Sequence, residues 1–249
     1  MLLRPAATLT GILCAWQLLV WATGVPPFIL PGPFLVLEAL VRHHALLAHH
    51  AGVTLVEIVL GILLGSLFGV SAAILLASSS AARRWLMPLL VISQALPVFA
   101  LAPLLVLWLG YGLASKIAVA MLIIFFPVTT AFLDGLRRTE PGWIELARTM
   151  DARPAAILAQ IRVPAALPAL ASGLRVAAAV APIGAVVGEW VGSSAGLGYL
   201  MLHANGRMQV DLMFAAILVL AVMTLALWLA VDRGGRRVVA WQAETLPRD

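Results

Sequence analysis

Few residues in this chain are equipped for chemistry, and the most conspicuous stand alone in apolar surroundings. Glu57, Gln94 and Glu189 each interrupt a long hydrophobic run. A charged or amide side chain at membrane depth is costly and tends to mark a route for a polar solute. Gln94 lies about nine residues into its run, ~14 Å along a helix rising ~1.5 Å per residue. Glu57 and Glu189 fall near the outer ends of theirs. Gln94, Glu57 and Glu189 could therefore line a translocation path, a role that suits Glu189 and Gln94 best. Glu57 is better explained by contact with interfacial water, and Gln94 also suits a bridge between helices. Pro97 and Pro103 would free backbone groups beside Gln94, as in interrupted transporter helices, or simply kink the chain.

Enzymatic chemistry finds no foothold. The one lysine, Lys116, is not preceded by glycines in phosphate-loop spacing. His43, His44, His49 and His50 cluster, but none are paired at i, i+4, the usual spacing for zinc on a helix, so a solvated histidine face is expected and no metal site. Cys14 has no partner for an internal disulfide and reads as a small core residue. No nucleophile–base pair is evident.

The least hydrophobic long stretch runs from Arg137 to Arg175. Five arginines fall between Arg137 and Arg162. Apolar residues recur at Trp143, Leu146, Ala147 and Met150, then at Pro154, Ile157, Leu158 and Ile161. That spacing predicts two short amphipathic helices. Thr139 and Pro141 would start the first. Asp151 would end it and cap the second, and Pro164 and Pro168 would close the unit.

Glu145-Leu146-Ala147, Asp151-Ala152, Ile161, Pro164 and Pro168 resemble the EAA loop of binding-protein-dependent ABC importer permeases. Leu146 replaces the middle alanine of that pattern, and Asp151 replaces the glycine that would supply a sharp bend. Aspartate tolerates bends, so the elbow should survive. The resemblance implies a type I ABC importer permease fold with six transmembrane helices and a cytoplasmic coupling loop over 137–168. It further implies that Glu145, Leu146, Ala147, Met150, Asp151, Ala152, Ile161 and Pro164 meet a separate ATPase subunit, which would hold the ATP and Mg2+. No cofactor is expected in this chain.

The elements fit. The chain has 249 residues, 63% of them hydrophobic, and a mean hydropathy of +1.05, which soluble domains do not carry. It reads as an all-α membrane protein of one domain. Apolar runs at about 6–24, 53–77, 85–109, 117–135, 172–192 and 212–231 each approach the roughly 20 residues that span a bilayer core. Leu13 before Cys14 argues against a lipoprotein signal, so the first run is expected to stay as a helix. Residues 34–52 read as a short helix at the membrane surface, and 192–210 as a polar turn. Gly61, Gly65 and Gly69 form a doubled GxxxG, suited to packing within the bundle or to a subunit interface.

The basic residues orient the chain. With the N-terminus inside, thirteen of the sixteen cations lie on the cytoplasmic side, among them Arg248; Arg42, Lys116 and Arg207 lie outside. Both termini and the arginine-rich loop would then face the cytoplasm of a bacterial inner membrane. No basic stripe with interleaved aromatics points to nucleic acid.

The whole chain resembles sulfonate/nitrate/taurine-type permeases. Ala181 to Leu200, APIGAVVGEWVGSSAGLGYL, is most similar to the branch that takes up thiamine-precursor pyrimidines. That implies a binding protein outside the membrane, a second permease copy and a hydroxymethylpyrimidine-like solute; aliphatic sulfonates, taurine or nitrate are the alternative. An acidic, Gln-lined route without an intramembrane arginine also suits a neutral or cationic aminopyrimidine. A proton-coupled secondary transporter would want internal symmetry and more titratable groups along its helices.

Overall fold

The structure, a computed structural model, describes residues 3–242; Arg248 lies outside them. Eleven helices account for nearly all of that span: α1 (Leu3–Thr23), α2 (Pro33–Arg42), α3 (His44–Ser78), α4 (Ser80–Ala95), α5 (Val98–Leu109), α6 (Leu113–Arg137), α7 (Pro141–Thr149), α8 (Pro154–Ile157), α9 (Val163–Gly192), α10 (Leu197–Gly206) and α11 (Val210–Val238). A π-helical turn, Leu158–Arg162, joins α8 to α9.

Among the described residues, four stretches are long and apolar enough to cross a membrane: His44–Ser78, Leu113–Arg137, Pro154–Gly192 and Val210–Val238. The third expected run, 85–109, is instead broken: α4 and α5 meet at 102°. Pro97 has no N–H to give the preceding turn, and it holds Leu96 in extended backbone at φ −79°, ψ 120°. The first run forms α1, 21 residues long, whose described apolar part, Thr10–Thr23, is shorter than those four stretches.

Several boundaries move. Residues 44–52 belong to α3 rather than to a separate surface helix; no glycine–proline break follows His43, so the helix runs 35 residues. The expected polar turn at 192–210 contains α10, whose Leu197, Leu200, Met201 and Ala204 are buried against α2, α3 and α11. α6 begins at Leu113, which brings Lys116 into its first turns. Neither Pro164 nor Pro168 ends a helix. Pro164 sits in the first turn of α9, where no N–H is missed, just after the wider π turn. Cys14 is exposed on α1, not part of the core.

The core is three helices deep. α6 runs between α3 and α9, and small residues let them approach. A Cβ on Gly61 would stand 2.7 Å from the Ala120 Cβ, and one on Gly65 2.8 Å from Ile124 Cγ2. From the other side a Cβ on Gly184 would stand 2.6 Å from the Ala120 Cα, and one on Gly173 2.7 Å from the Ala131 Cβ. The doubled GxxxG therefore packs α3 on α6 within the chain, and Gly69 continues it against Val128. Between these faces lie Ile58, Ile124, Val128, Ala177 and Ala181; toward the α7 end follow Leu76, Phe132, Leu133, Leu136 and Ala166. α4 buries none of its residues in this body.

Gly184 tests the closeness of that contact, because backbone rather than a flexible side chain would meet its Cβ. Gly184→Ala should lose about 1–3 kcal/mol of stability despite alanine's better helix propensity. Gly52→Ala, with nothing within 4 Å of its Cβ, should be neutral or slightly stabilising. Melting temperatures of the purified protein in detergent compare the two; equal values would mean that α9 and α6 stand further apart.

Candidate functional site

The arginine-rich stretch folds as an elbow. Pro141 occupies the first turn of α7, with Glu140 as its N-cap; Thr139, expected there, instead donates to the Leu136 carbonyl, 3.2 Å away. The helix ends in a paired backbone motif: Asp151 N–H donates to Arg148 O and Ala152 N–H to Ala147 O, both at 3.0 Å. These are the two bonds that close a helix when the next residue turns left-handed. Asp151 is that residue, at φ +58°. It thus fills the place where a glycine would be unstrained, and aspartate is among the few other residues that visit this region.

The two motif alanines acquire a physical meaning here. Ala147 and Ala152 are the acceptor and donor of the bond that spans five residues, and Ala147 is buried. Asp151 does not cap α8, contrary to the expectation from sequence. The N-cap of α8 is Arg153, and Pro154 starts the helix without needing a side-chain acceptor.

One face of the elbow stays open. Leu146 is 62% exposed and Met150 75%, with Trp143 also exposed. They line a groove of about 470 Å³ shared with Ile161, Pro164 and Trp241. Glu145 and Asp151 are exposed beside it. The return helix is tied down by a residue the sequence reading did not single out. The Arg162 guanidinium donates from Nε and Nη2 to the buried Leu136 carbonyl at 3.1 and 2.9 Å. The elbow is thereby fastened to the end of α6 as well as being continuous with it. The tie joins residues 26 apart in sequence.

At the opposite end of the bundle a buried polar group locks α10 in place. Glu189, on α9, accepts from Thr54 Oγ1 at 2.6 Å, Gly198 N–H at 2.5 Å and Tyr199 N–H at 3.3 Å. A carboxylate at the first turn of α10 satisfies amides that have no partner inside that helix and complements its dipole. Thr54 Oγ1 also accepts from Leu197 N–H at 2.8 Å, and His50 Nδ1 from Gly196 N–H at 2.9 Å. Gly196 has φ +116°, and any side chain there would run into the Glu189 carboxylate.

Beside this group Glu57 receives Lys116 Nζ at 3.0 Å, with the Glu57 side chain fully buried and that of Lys116 10% exposed. The expected vestibule is corrected accordingly. Glu57 and Glu189 do not line open space: both are sealed between α3, α6, α9 and α10. Glu57 does not reach interfacial water either: it is fully buried, with Lys116 as its counter-charge. Nor are the histidines one solvated face, since His50 is buried on the α10 loop. Among the described residues no three His, Cys, Asp or Glu side chains converge as a metal site would need. Gln94 and Pro97 lie apart from all this, exposed at the α4–α5 break.

Known proteins share this architecture. Residues 58–241 match the family described as binding-protein-dependent transport system inner membrane component. A probable ABC transporter permease protein of Haemophilus influenzae is 56% identical, over 93% of this chain and 94% of its own. The formylaminopyrimidine transport permease protein of Halalkalibacterium halodurans is 34% identical, over 96% of both. In structure, a chain of the MetNI methionine ABC transporter in inward-facing conformations superposes with a TM-score of 0.70 at 21% identity. The match covers 80% of this chain and 98% of that one.

The Glu57–Lys116 pair yields a two-part test. Lys116→Met leaves a carboxylate buried without its counter-charge and should lose about 3–5 kcal/mol, whereas Glu57→Leu with Lys116→Met should recover most of that. Detergent melting curves report both. A single variant as stable as the parent would mean that water reaches Glu57.

Proposed function

Because the chain belongs to the family of binding-protein-dependent transport system inner membrane components, we propose that its elbow, Pro141 to Arg162, is where an ATPase subunit grips it and drives solute import. The protein is an ABC importer permease subunit with the all-helical type I fold, and is itself not an enzyme. Membership implies two kinds of partner, a separate ATPase subunit and a solute-binding protein.

One observation carries the coupling role: α7 presents exposed Leu146 and Met150 on an elbow whose return limb is bolted to the end of α6 through Arg162. A load applied to such an element moves two membrane helices together instead of bending a loop. Glu145, Leu146, Met150 and Asp151 form the contact, Ala147 and Ala152 the bend, and Ile161 and Pro164 the wall of the groove. ATP and Mg2+ act in the partner. In this reading α1 and the bent α4–α5 pair complete six crossings of a bacterial inner membrane. Both termini and the elbow face the cytoplasm, as the arginine distribution favours. A second permease copy closes the path, with Gln94 and Pro97 at the broken helix on its wall.

For the solute we infer a hydroxymethylpyrimidine-like thiamine precursor, with taurine or another sulfonate as the alternative. In support stand the likeness to a permease named for formylaminopyrimidine transport and the Ala181–Leu200 segment. Relatives named for riboflavin and for taurine transport are 38% and 30% identical. The acidic lining no longer contributes, since both carboxylates serve the core.

Glu145→Lys should abolish ATP-driven uptake into vesicles while the protein still inserts and melts normally, because the exposed Glu145 contributes to contact rather than folding. Unchanged uptake would remove the coupling role. For the solute, competition for the cognate binding protein should rank hydroxymethylpyrimidine above taurine; the reverse order would favour the sulfonate reading.

A further inference from the structure

The groove beside the elbow is closed by a residue from the other end of the chain. Trp241 lies three positions beyond α11, is 63% exposed, and lines the same cavity as Trp143, Leu146 and Met150. Four large apolar side chains around one depression, outside the packed core, make the kind of surface that partners cover. Its makeup, two tryptophans with a methionine and a leucine, has the aromatic and methionine enrichment found at contact centres.

Trp241 is held there. Asp232 receives Arg175 Nη1 at 3.0 Å, which pins the end of α11 to α9, and Arg236 Nε of its own helix at 2.9 Å. Three residues on, the chain passes close to α9: a Cβ on Gly235 would stand 3.2 Å from the Ala171 Cβ. Backbone bonds from Val239 N–H to Gly235 O and from Gln242 N–H to Val239 O, each 3.0 Å, carry the turn on to the indole.

A tryptophan just past a transmembrane helix can also serve as an anchor at the lipid headgroups, where its ring meets acyl chains. Here the ring instead contributes to a cavity whose other walls are the elbow and its return helix.

We infer that Trp241 is a wall of the ATPase-docking surface, receiving an apolar side chain of that subunit together with Leu146 and Met150. This rests on the coupling role of the elbow. It adds that α11 is engaged along with α6 and α9, so the Asp232–Arg175 bridge lies in the line of force.

The test uses the full-length permease in nanodiscs and its purified ATPase subunit, with affinity and melting temperature measured for Trp241→Ala, Trp241→Phe and Leu146→Glu. The expected result is at least ~tenfold weaker binding for Trp241→Ala, recovery to within ~threefold for Trp241→Phe, and loss of binding for Leu146→Glu, all at unchanged melting temperature. Loss with Leu146→Glu but parental affinity with Trp241→Ala overturns the Trp241 inference and leaves the elbow's role standing. Parental affinity in both overturns the coupling role itself. Weaker binding of Trp241→Ala accompanied by an equal loss of melting temperature or insertion assigns the residue to membrane anchoring and overturns the inference too.

Discussion

The structure depends on how closely three helices approach one another. α6 is gripped on one side by Gly61, Gly65 and Gly69 of α3, and on the other by Gly173, Gly184 and Gly188 of α9. At most of these positions a methyl group would sit inside van der Waals contact with a neighbouring backbone or β-carbon. In a bilayer, helices gain little from hiding apolar surface from one another, so close contact of small residues is the main source of attraction. The result is a stiff block. In the proposed coupling role, such packing would pass on a push that a soft bundle would absorb.

Each end of the block is closed by a different device. At the α10 end buried polar groups do the work: Glu189, Thr54 and His50 satisfy the amides of the Gly196–Tyr199 turn, and Glu57 is neutralised by Lys116. Low dielectric makes such groups strong when paired and expensive when not, so they specify one position for α10. At the elbow end the ties are backbone geometry and a guanidinium. The left-handed Asp151 turns the chain, and Arg162 fastens the return to Leu136. The first device fixes α10 against α9, while the second ties the elbow to the end of α6.

What could be read from the sequence divides along the same line. Local signals carried well: apolar runs of the right length became helices, and the Glu145–Ala152 pattern marked the elbow even though Asp151 stands where a glycine is usual. Contacts between distant segments did not carry. Nothing in the spacing tells that Lys116 meets Glu57 across 59 residues, or that Arg162 reaches Leu136. Polar residues in apolar runs read as a solute route because the sequence does not show their partners; once paired, Glu57 and Glu189 belong to the core. α10 leaves little trace in the sequence because glycines and serines precede it and its ten residues give too short a period to register. The break at Leu96–Pro97 was signalled by proline, but proline alone does not set an angle of 102°.

The decisive observation is the elbow's position in an assembled particle. Cryo-electron microscopy of the permease, purified with its ATPase subunit and reconstituted in nanodiscs, would provide it. The coupling mechanism requires α7 to be seated in the ATPase, with Leu146 and Met150 buried there and the Arg162–Leu136 contact intact. An elbow free in solvent, or on the face of the bilayer that meets the binding protein, would contradict it.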